Sequence, residues 1–308
     1  MARDRILLAI LAMALAASLP AQNSIYKSTP LPDGLVGIGL PFARMENGVI
    51  LTHSSLSVTA FRQDATSPAA LLRWTPGYGT GSIRDVSARP DHGTVTAILT
   101  GGGSENWTSS ILSCDAAGRV ESQFQTNRYA VDHIAVDGAG DIWTLGVDHD
   151  ATQHQAGYHI LREYTPDGRL LRSALPRSMF ATPLEPAISV GGTVGITFLR
   201  VHSRNVAAYI AQTREWIEVG PEGQIVSRAK LQMPPDAGYG TNYPLSIAMT
   251  GSGSVFLQAA GFRLCKLDVR SGACPLADAP REVLLGASGD DLLFYNPSIP
   301  THADWVRE

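Results

Sequence analysis

The chain reads VDHIAVDGAGDIWTLG from Val131 to Gly146, an apolar alternation that breaks at Asp137-Gly-Ala-Gly and resumes at once. Ile134 and Val136 alternate with smaller or polar neighbours, and Ile142, Trp143 and Leu145 continue the pattern beyond the break. Period-two alternation on both sides of a Gly/Asp turn specifies a β-hairpin. A second hairpin follows in HILREYTPDGRLLRSALP (His159 to Pro176), where Pro166-Asp167-Gly168 presets one φ and tolerates a positive one.

This four-strand unit recurs. The first hairpin returns as DVSARPDHGTVTAIL from Asp85, AISVGGTVGITFL from Ala187, SIAMTGSGSVFLQ from Ser246 and VLLGASGDDLLFY from Val283, with a weaker copy from Gly37 to His53. Its turn glycines are Gly48, Gly93, Gly140, Gly192, Gly253 and Gly289. The second hairpin is echoed by ILSCDAAGRVES from Ile111, WIEVGPEGQIVSR from Trp216 and LCKLDVRSGACPL from Leu264. A unit of about fifty residues and four strands has the size of a propeller blade. The expectation is therefore an all-β, six-bladed β-propeller with four antiparallel strands per blade. The last unit ends at ADWVRE without a fourth strand, and SIYKSTPLPDG from Ser24 resembles the fourth strands of other units. The ring is expected to close by pairing of this N-terminal strand with the C-terminal strands, which removes an open sheet edge.

Ahead of that strand, Arg3 and Arg5 precede an apolar run from Ile6 to Ala17 and small residues near Ala21. Such a run is too short for a membrane span and reads as a secretory signal peptide over residues 1–22, leaving residues 23–308 as a single propeller domain. The localisation expected is periplasmic or extracellular, the state monomeric. Removing the +1 of Arg3, Asp4 and Arg5 takes the formal net charge from −4 to −5. With 17% charged residues and no basic cluster, nucleic acid is not an expected partner. The 30 Gly and 19 Pro suit a turn-rich β protein.

Export gives the three cysteines meaning. If a turn spans Asp268 to Ser271, Cys265 falls opposite Cys274, close enough for a disulfide that acts as a local staple of about 2 to 3 kcal/mol; two packed thiols are the alternative. Cys114 reads as a small buried hydrophobe.

IAVDGAGDIWTLG followed by HILREYTPDGRLL resembles an NHL repeat, and more widely the six-bladed propellers of the gluconolactonase (SMP-30-like) and streptogramin-lyase type. The match is good in one unit, and Leu145-Gly146 stands where such repeats usually carry an acidic residue. The resemblance implies architecture; the family holds enzymes, scaffolds and binding modules alike.

In such rings ligands usually bind on the channel face, where innermost strands begin. That places Arg84 with Asp85, Asp132 with His133, Glu185, Ser246 and Glu282 at the mouth, and connecting loops add His149 (with Asp148, Asp150 and His154), His202 (with Arg204) and Tyr243. The candidate ligand-binding set is Asp85, Asp132, His133, Glu185, His149, His202, Tyr243 and Glu282; no catalytic residue or metal ligand is assigned. Each candidate has a structural alternative: strand-start Asp and His often bond a neighbouring blade's backbone, and polar loops are often only solvated.

Two functions follow. The preferred one is a secreted, non-catalytic propeller that binds a ligand or protein on its channel face, with no cofactor. The other is a metal-assisted lactone hydrolase or lyase, in which channel carboxylates hold a divalent cation that polarises a carbonyl. Asp132 and His133 are expected to touch the occupant amid concentrated negative charge from Asp85 and Glu185, so that Asp132→Asn stabilises an empty mouth.

Overall fold

A computed structural model describes residues 25–30, 44–62, 70–73, 80–101, 107–148, 158–180, 198–211, 213–232, 246–277, 282–295 and 302–307. Glu185, His149 and Tyr243, with residues 1–24 and the loop residues Asp150 and His154, lie outside them.

The described residues form antiparallel four-strand units. After β1 (Ile25–Pro30) come β2 (Arg44–Glu46), β3 (Val49–His53), β4 (Ser57–Arg62) and β5 (Ala70–Arg73). The next units are β6 (Thr80–Ala88), β7 (Thr94–Gly101), β8 (Thr108–Cys114) and β9 (Val120–Gln125), then β10 (Tyr129–Val136), β11 (Ile142–Asp148), β12 (His159–Tyr164) and β13 (Leu170–Pro176). They are followed by β14 (Phe198–His202), β15 (Asn205–Ile210), β16 (Glu215–Val219) and β17 (Ile225–Lys230), and by β18 (Ser246–Met249), β19 (Val255–Gln258), β20 (Leu264–Leu267) and β21 (Leu276–Ala277). The chain finishes with β22 (Val283–Ser288), β23 (Asp291–Tyr295) and β24 (His302–Arg307). Four of the five sheets are one consecutive unit each; the fifth has eight strands in the order β1-β24-β23-β22-β2-β3-β4-β5. Within it, a single parallel pair, Met45 opposite Gly286, joins β2 to β22. A Cβ on Gly286 would lie 2.9 Å from the backbone N and O of Met45, so only glycine lets the two strands meet there. The architecture is an all-β β-propeller with four-stranded antiparallel blades. No described helix is long and apolar enough to cross a membrane.

Burial falls from the inside of each unit outward: all of β11 is buried, whereas β9 alternates exposed and half-buried positions. The buried side chains gather between units. Trp143, Leu145 and Ile160 pack with Leu199, Val206 and Ile217 of the following unit, and Phe198, Tyr209 and Trp216 pack with Ile247, Val255 and Leu257 of the next. A further cluster joins the two halves of the eight-stranded sheet through Met45, Ile50 and Phe61 on one side and Leu285, Leu293 and Trp305 on the other. Each blade thus buries its apolar faces against its neighbours, the main favourable contribution to the fold.

The corner between third and fourth strands repeats closely. Gly118, Gly168 and Gly223 take φ of +78°, +89° and +81°, and each donates its N–H to the carbonyl three residues earlier, on Asp115, Thr165 and Gly220 respectively. The register breaks beside each corner, as expected where glycine occupies a left-handed position.

The closing strand pairs as the sequence suggests: β1 runs antiparallel to β24 from Ile25 opposite Val306 to Pro30 opposite His302. One hairpin is placed differently. The glycine pair at Gly192 falls outside the described residues, and the hairpin of that unit is β14–β15, turning at Ser203-Arg204. Ser203 carries the positive φ, 55°, a conformation for which glycine is the usual signal. His202 and Arg204 accordingly sit at the turn between first and second strands, not between second and third.

Cys265 and Cys274 are joined by a disulfide with Cα atoms 5.3 Å apart. Their strands are offset from the simple register: Cys265 lies opposite Leu276, and Asp268 N–H reaches the carbonyl of Ala273. The cystine therefore runs diagonally across the corner. Cys114 is a free, buried thiol whose pKa burial raises.

Candidate functional site: an ion network on the inner strands

Among the described residues, the first strands of successive blades hold the largest group of buried charges. In β6 the register breaks between Ile83 and Asp85, and in β10 between Val131 and His133, so Arg84 and Asp132 are the extra residues of two β-bulges. A bulge bends its strand and re-aims a side chain. The two bulged residues meet across the blade boundary, Arg84 Nε donating to Asp132 Oδ1 at 3.0 Å. These positions lie well inside β6 and β10, which begin at Thr80 and Tyr129, and not at the strand entrances that the sequence suggests.

The residue after each bulge continues the network. Asp85 is buried; its Oδ1 accepts from Val86 N–H at 2.9 Å, and its Oδ2 accepts from Ile134 N–H of the next blade at 2.9 Å and from Arg44 Nη1 at 3.1 Å. Arg44 comes from β2, so Asp85 ties three blades together. His133 stands between two carboxylates, Nδ1 3.5 Å from Asp85 and Nε2 3.4 Å from Asp132. Burial by itself would favour the neutral ring, but hydrogen bonds and charge from Asp132 and Asp85 outweigh it and raise the pKa to about 9. Burial would likewise raise the Asp85 pKa; Arg44 and His133 reverse that and hold it well below the usual carboxylate range.

Further round, Glu46 is also buried, and its Oε2 accepts from Ser87 Oγ and Ala88 N–H at 3.0 Å each. Two guanidinium groups lie at looser distances from the same carboxylate, Arg44 at 3.5 Å and Arg200 of β14 at 3.7 Å. Arg200 stacks over the Phe198 ring, 4.9 Å from its centroid, and donates to its neighbour Leu199's carbonyl at 2.8 Å. Burial, with repulsion from Arg44, lowers its pKa to about 10 against the pull of Glu46 and Asp85. It remains a cation at neutral pH.

Of the sequence-derived candidates, Asp85, Asp132 and His133 come together. Glu282 is buried elsewhere, at the entry to β22, where its carbonyl accepts from Gln258 Nε2 at 2.6 Å. His202 packs against Gly253 of the neighbouring blade's turn, where a Cβ would meet Nε2 at 2.7 Å. Of the loop cluster only Asp148 is described; it ends β11 and pairs with Arg162 at 2.9 Å. The expected concentration of negative charge rests in part on Glu185, outside the described residues; among the described residues Asp85, Asp132 and Glu46 are matched by Arg44, Arg84 and Arg200, and His133 adds a further positive charge. Arg44, Glu46 and Arg200 escaped the sequence reading. The available signal was a charge interrupting an otherwise apolar strand, as in Phe198-Leu-Arg-Val.

One group of carboxylates has metal-like spacing, Asp137, Asp141 and Glu163, with oxygens within 4.8 Å of one another. Arg172 is ion-paired to buried Glu163, and Asp137 Oδ1 accepts the N–H groups of Ala139 and Asp141 in its own turn. Burial, with repulsion from the neighbouring carboxylates, raises the pKa of Glu163 and Asp141.

No family model and no curated protein matches the chain. Among solved structures, a protein of unknown function from Bacteroides caccae is similar at 14% identity and a TM-score of 0.47, over 76% of this chain and 80% of that one. A catalytically inactive virginiamycin B lyase from Staphylococcus aureus, solved with quinupristin, is similar at 10% identity and a TM-score of 0.45, over 92% and 99%.

Proposed function

We propose that the chain is an exported six-bladed propeller, of the NHL-like kind, that binds a ligand on its channel face without catalysing a reaction on it. The blade count rests on treating the eight-stranded sheet as two four-strand blades that meet at Met45 and Gly286, and is supported by the core cluster between its halves. Export rests on the charged and apolar pattern of residues 1–22.

The observation that carries binding is the ion network itself. At the seam between the last two units the same mechanical task, holding the backbone of the next blade, is done without charge, Gln258 Oε1 accepting Leu284 N–H at 2.9 Å, and beside the ionic clasp itself Ser109 Oγ accepts Val131 N–H at 2.9 Å. Burying ions where an amide or hydroxyl suffices is costly unless the charges have another use. The metal-assisted hydrolase or lyase would need carboxylates with free oxygens converging on a cation; Asp85 and Asp132 are each taken up by arginine, and Glu46 Oε2 by Ser87 and Ala88.

The test is a thermal-melt screen of the purified protein against anionic, cationic and neutral small molecules, with calcium and zinc included. A binding propeller gives at least one class that raises the melting temperature in the wild type and not in Arg84→Gln. Stabilisation by calcium or zinc alone would favour the enzyme reading, and no response to any class would overturn binding.

A further inference from the structure

We propose that the channel-face site takes a small anion, a ligand bearing a carboxylate or phosphate group, with Arg200 as its main anchor and Arg44 beside it. This rests on the binding reading above and names the ligand class for the same site.

The first support is hydrogen-bond capacity. A guanidinium carries five N–H donors and no acceptor. Arg200 places one of its donors on the Leu199 carbonyl, and its closest approach to an anion is 3.7 Å, from Nε to Glu46 Oε1. Glu46 cannot serve it better, since its other oxygen already accepts from Ser87 and Ala88 and lies 3.5 Å from Arg44. Arg44 commits Nη1 to Asp85 but keeps spare capacity: its Nε is buried without a hydrogen-bond partner, and Nη2 reaches the Ile134 carbonyl only at 3.4 Å. Buried donors left unmade are expensive, and an incoming oxyanion would satisfy them.

The second support is preorganisation. The Phe198 ring beneath Arg200 restrains the plane of its guanidinium, so that little freedom is lost when a planar anion docks edge-on. Arg200 and Arg44 side chains retain 12% and 16% of their exposure, enough for contact from the solvent side. The third support is charge balance: the three arginines are matched by three carboxylates, and His133 tips the described network positive.

Isothermal titration calorimetry of the full chain with inorganic phosphate and with succinate, at constant ionic strength, tests the proposal. The expected result is saturable binding of one or both, weakened about tenfold or more by Arg200→Gln, partly recovered in Arg200→Lys, and unchanged in Arg172→Gln at the distant Glu163 pair. Arg44→Gln gives a second reading should Arg200→Gln fail to melt cooperatively. No heat of binding for either probe up to millimolar concentration, or equal binding in wild type and both arginine variants, overturns the anion site. If neutral or cationic molecules stabilise the protein in the broader screen while neither anion binds, the anion proposal fails and the binding propeller stands.

Discussion

Two blade boundaries solve one problem with different chemistry. Between the second and third units, Asp85 reaches forward to Ile134 N–H and is surrounded by Arg44 and His133. Between the last two units, Gln258, wholly buried, reaches Leu284 N–H at the same distance, 2.9 Å, and its amide also engages Glu282 and Ser246. Both close a seam by giving a buried backbone donor an acceptor. The neutral seam shows that ionisation is not required for this, and that the ionic seam costs desolvation the other avoids. What ionisation adds is fixed charge at the seam, and guanidinium donors beyond those the backbone uses.

If that contrast is right, the largest effect comes from breaking each clasp. Asp85→Ala strands Arg44 and His133 as well as Ile134 N–H and is expected to cost about 3 to 5 kcal/mol, whereas Gln258→Ala costs about 1 to 3 kcal/mol. Urea unfolding of the two variants compares them directly; equal losses would mean that the charge does no more than the amide.

The next effect separates the seams by pH. A histidine whose folded pKa is raised to about 9 from an ordinary value near 6.5 contributes its full stabilisation below 6.5 and loses it as the pH rises through 9. Stability is expected to decline by about 3 kcal/mol over that window, and His133→Gln should flatten the profile. Melting curves from pH 6 to 10 read this, and an unchanged slope in the variant would place the titration elsewhere.

A smaller effect is expected of Asp132→Asn. The sequence alone suggests relief of repulsion and a gain in stability; the Arg84 and His133 contacts imply a loss of about 1 to 2 kcal/mol. A gain in thermal denaturation would restore the picture of crowded negative charge.

The same two seams show what a sequence can carry. Blades, corner glycines and the closing strand were legible because they follow period-two alternation and turn chemistry, which are local. Asp132 and His133 were legible as polar residues ahead of an apolar run. The rest of the network was not, because Arg44 and Arg200 lie far away in the chain from Asp85 and the bulges that turn Arg84 and Asp132 toward each other leave no mark on the alternation. Ser203 hid a hairpin in the same way, by taking a backbone shape normally advertised by glycine. Gln258 reads in sequence as any polar residue ending a strand, since only its neighbour's backbone gives it a role.

The pairing of β1 with β24 has a temporal consequence. A strand near the start of the chain waits, with its edge unsatisfied, for a partner made almost three hundred residues later. Until then the assembly is an arc with two sticky ends, the species most exposed to pairing with another copy. A pairing this distant in sequence carries a large loop-closure cost and is expected to form late and slowly. A circular permutant that opens the ring between two other blades would keep every seam while changing which one forms last.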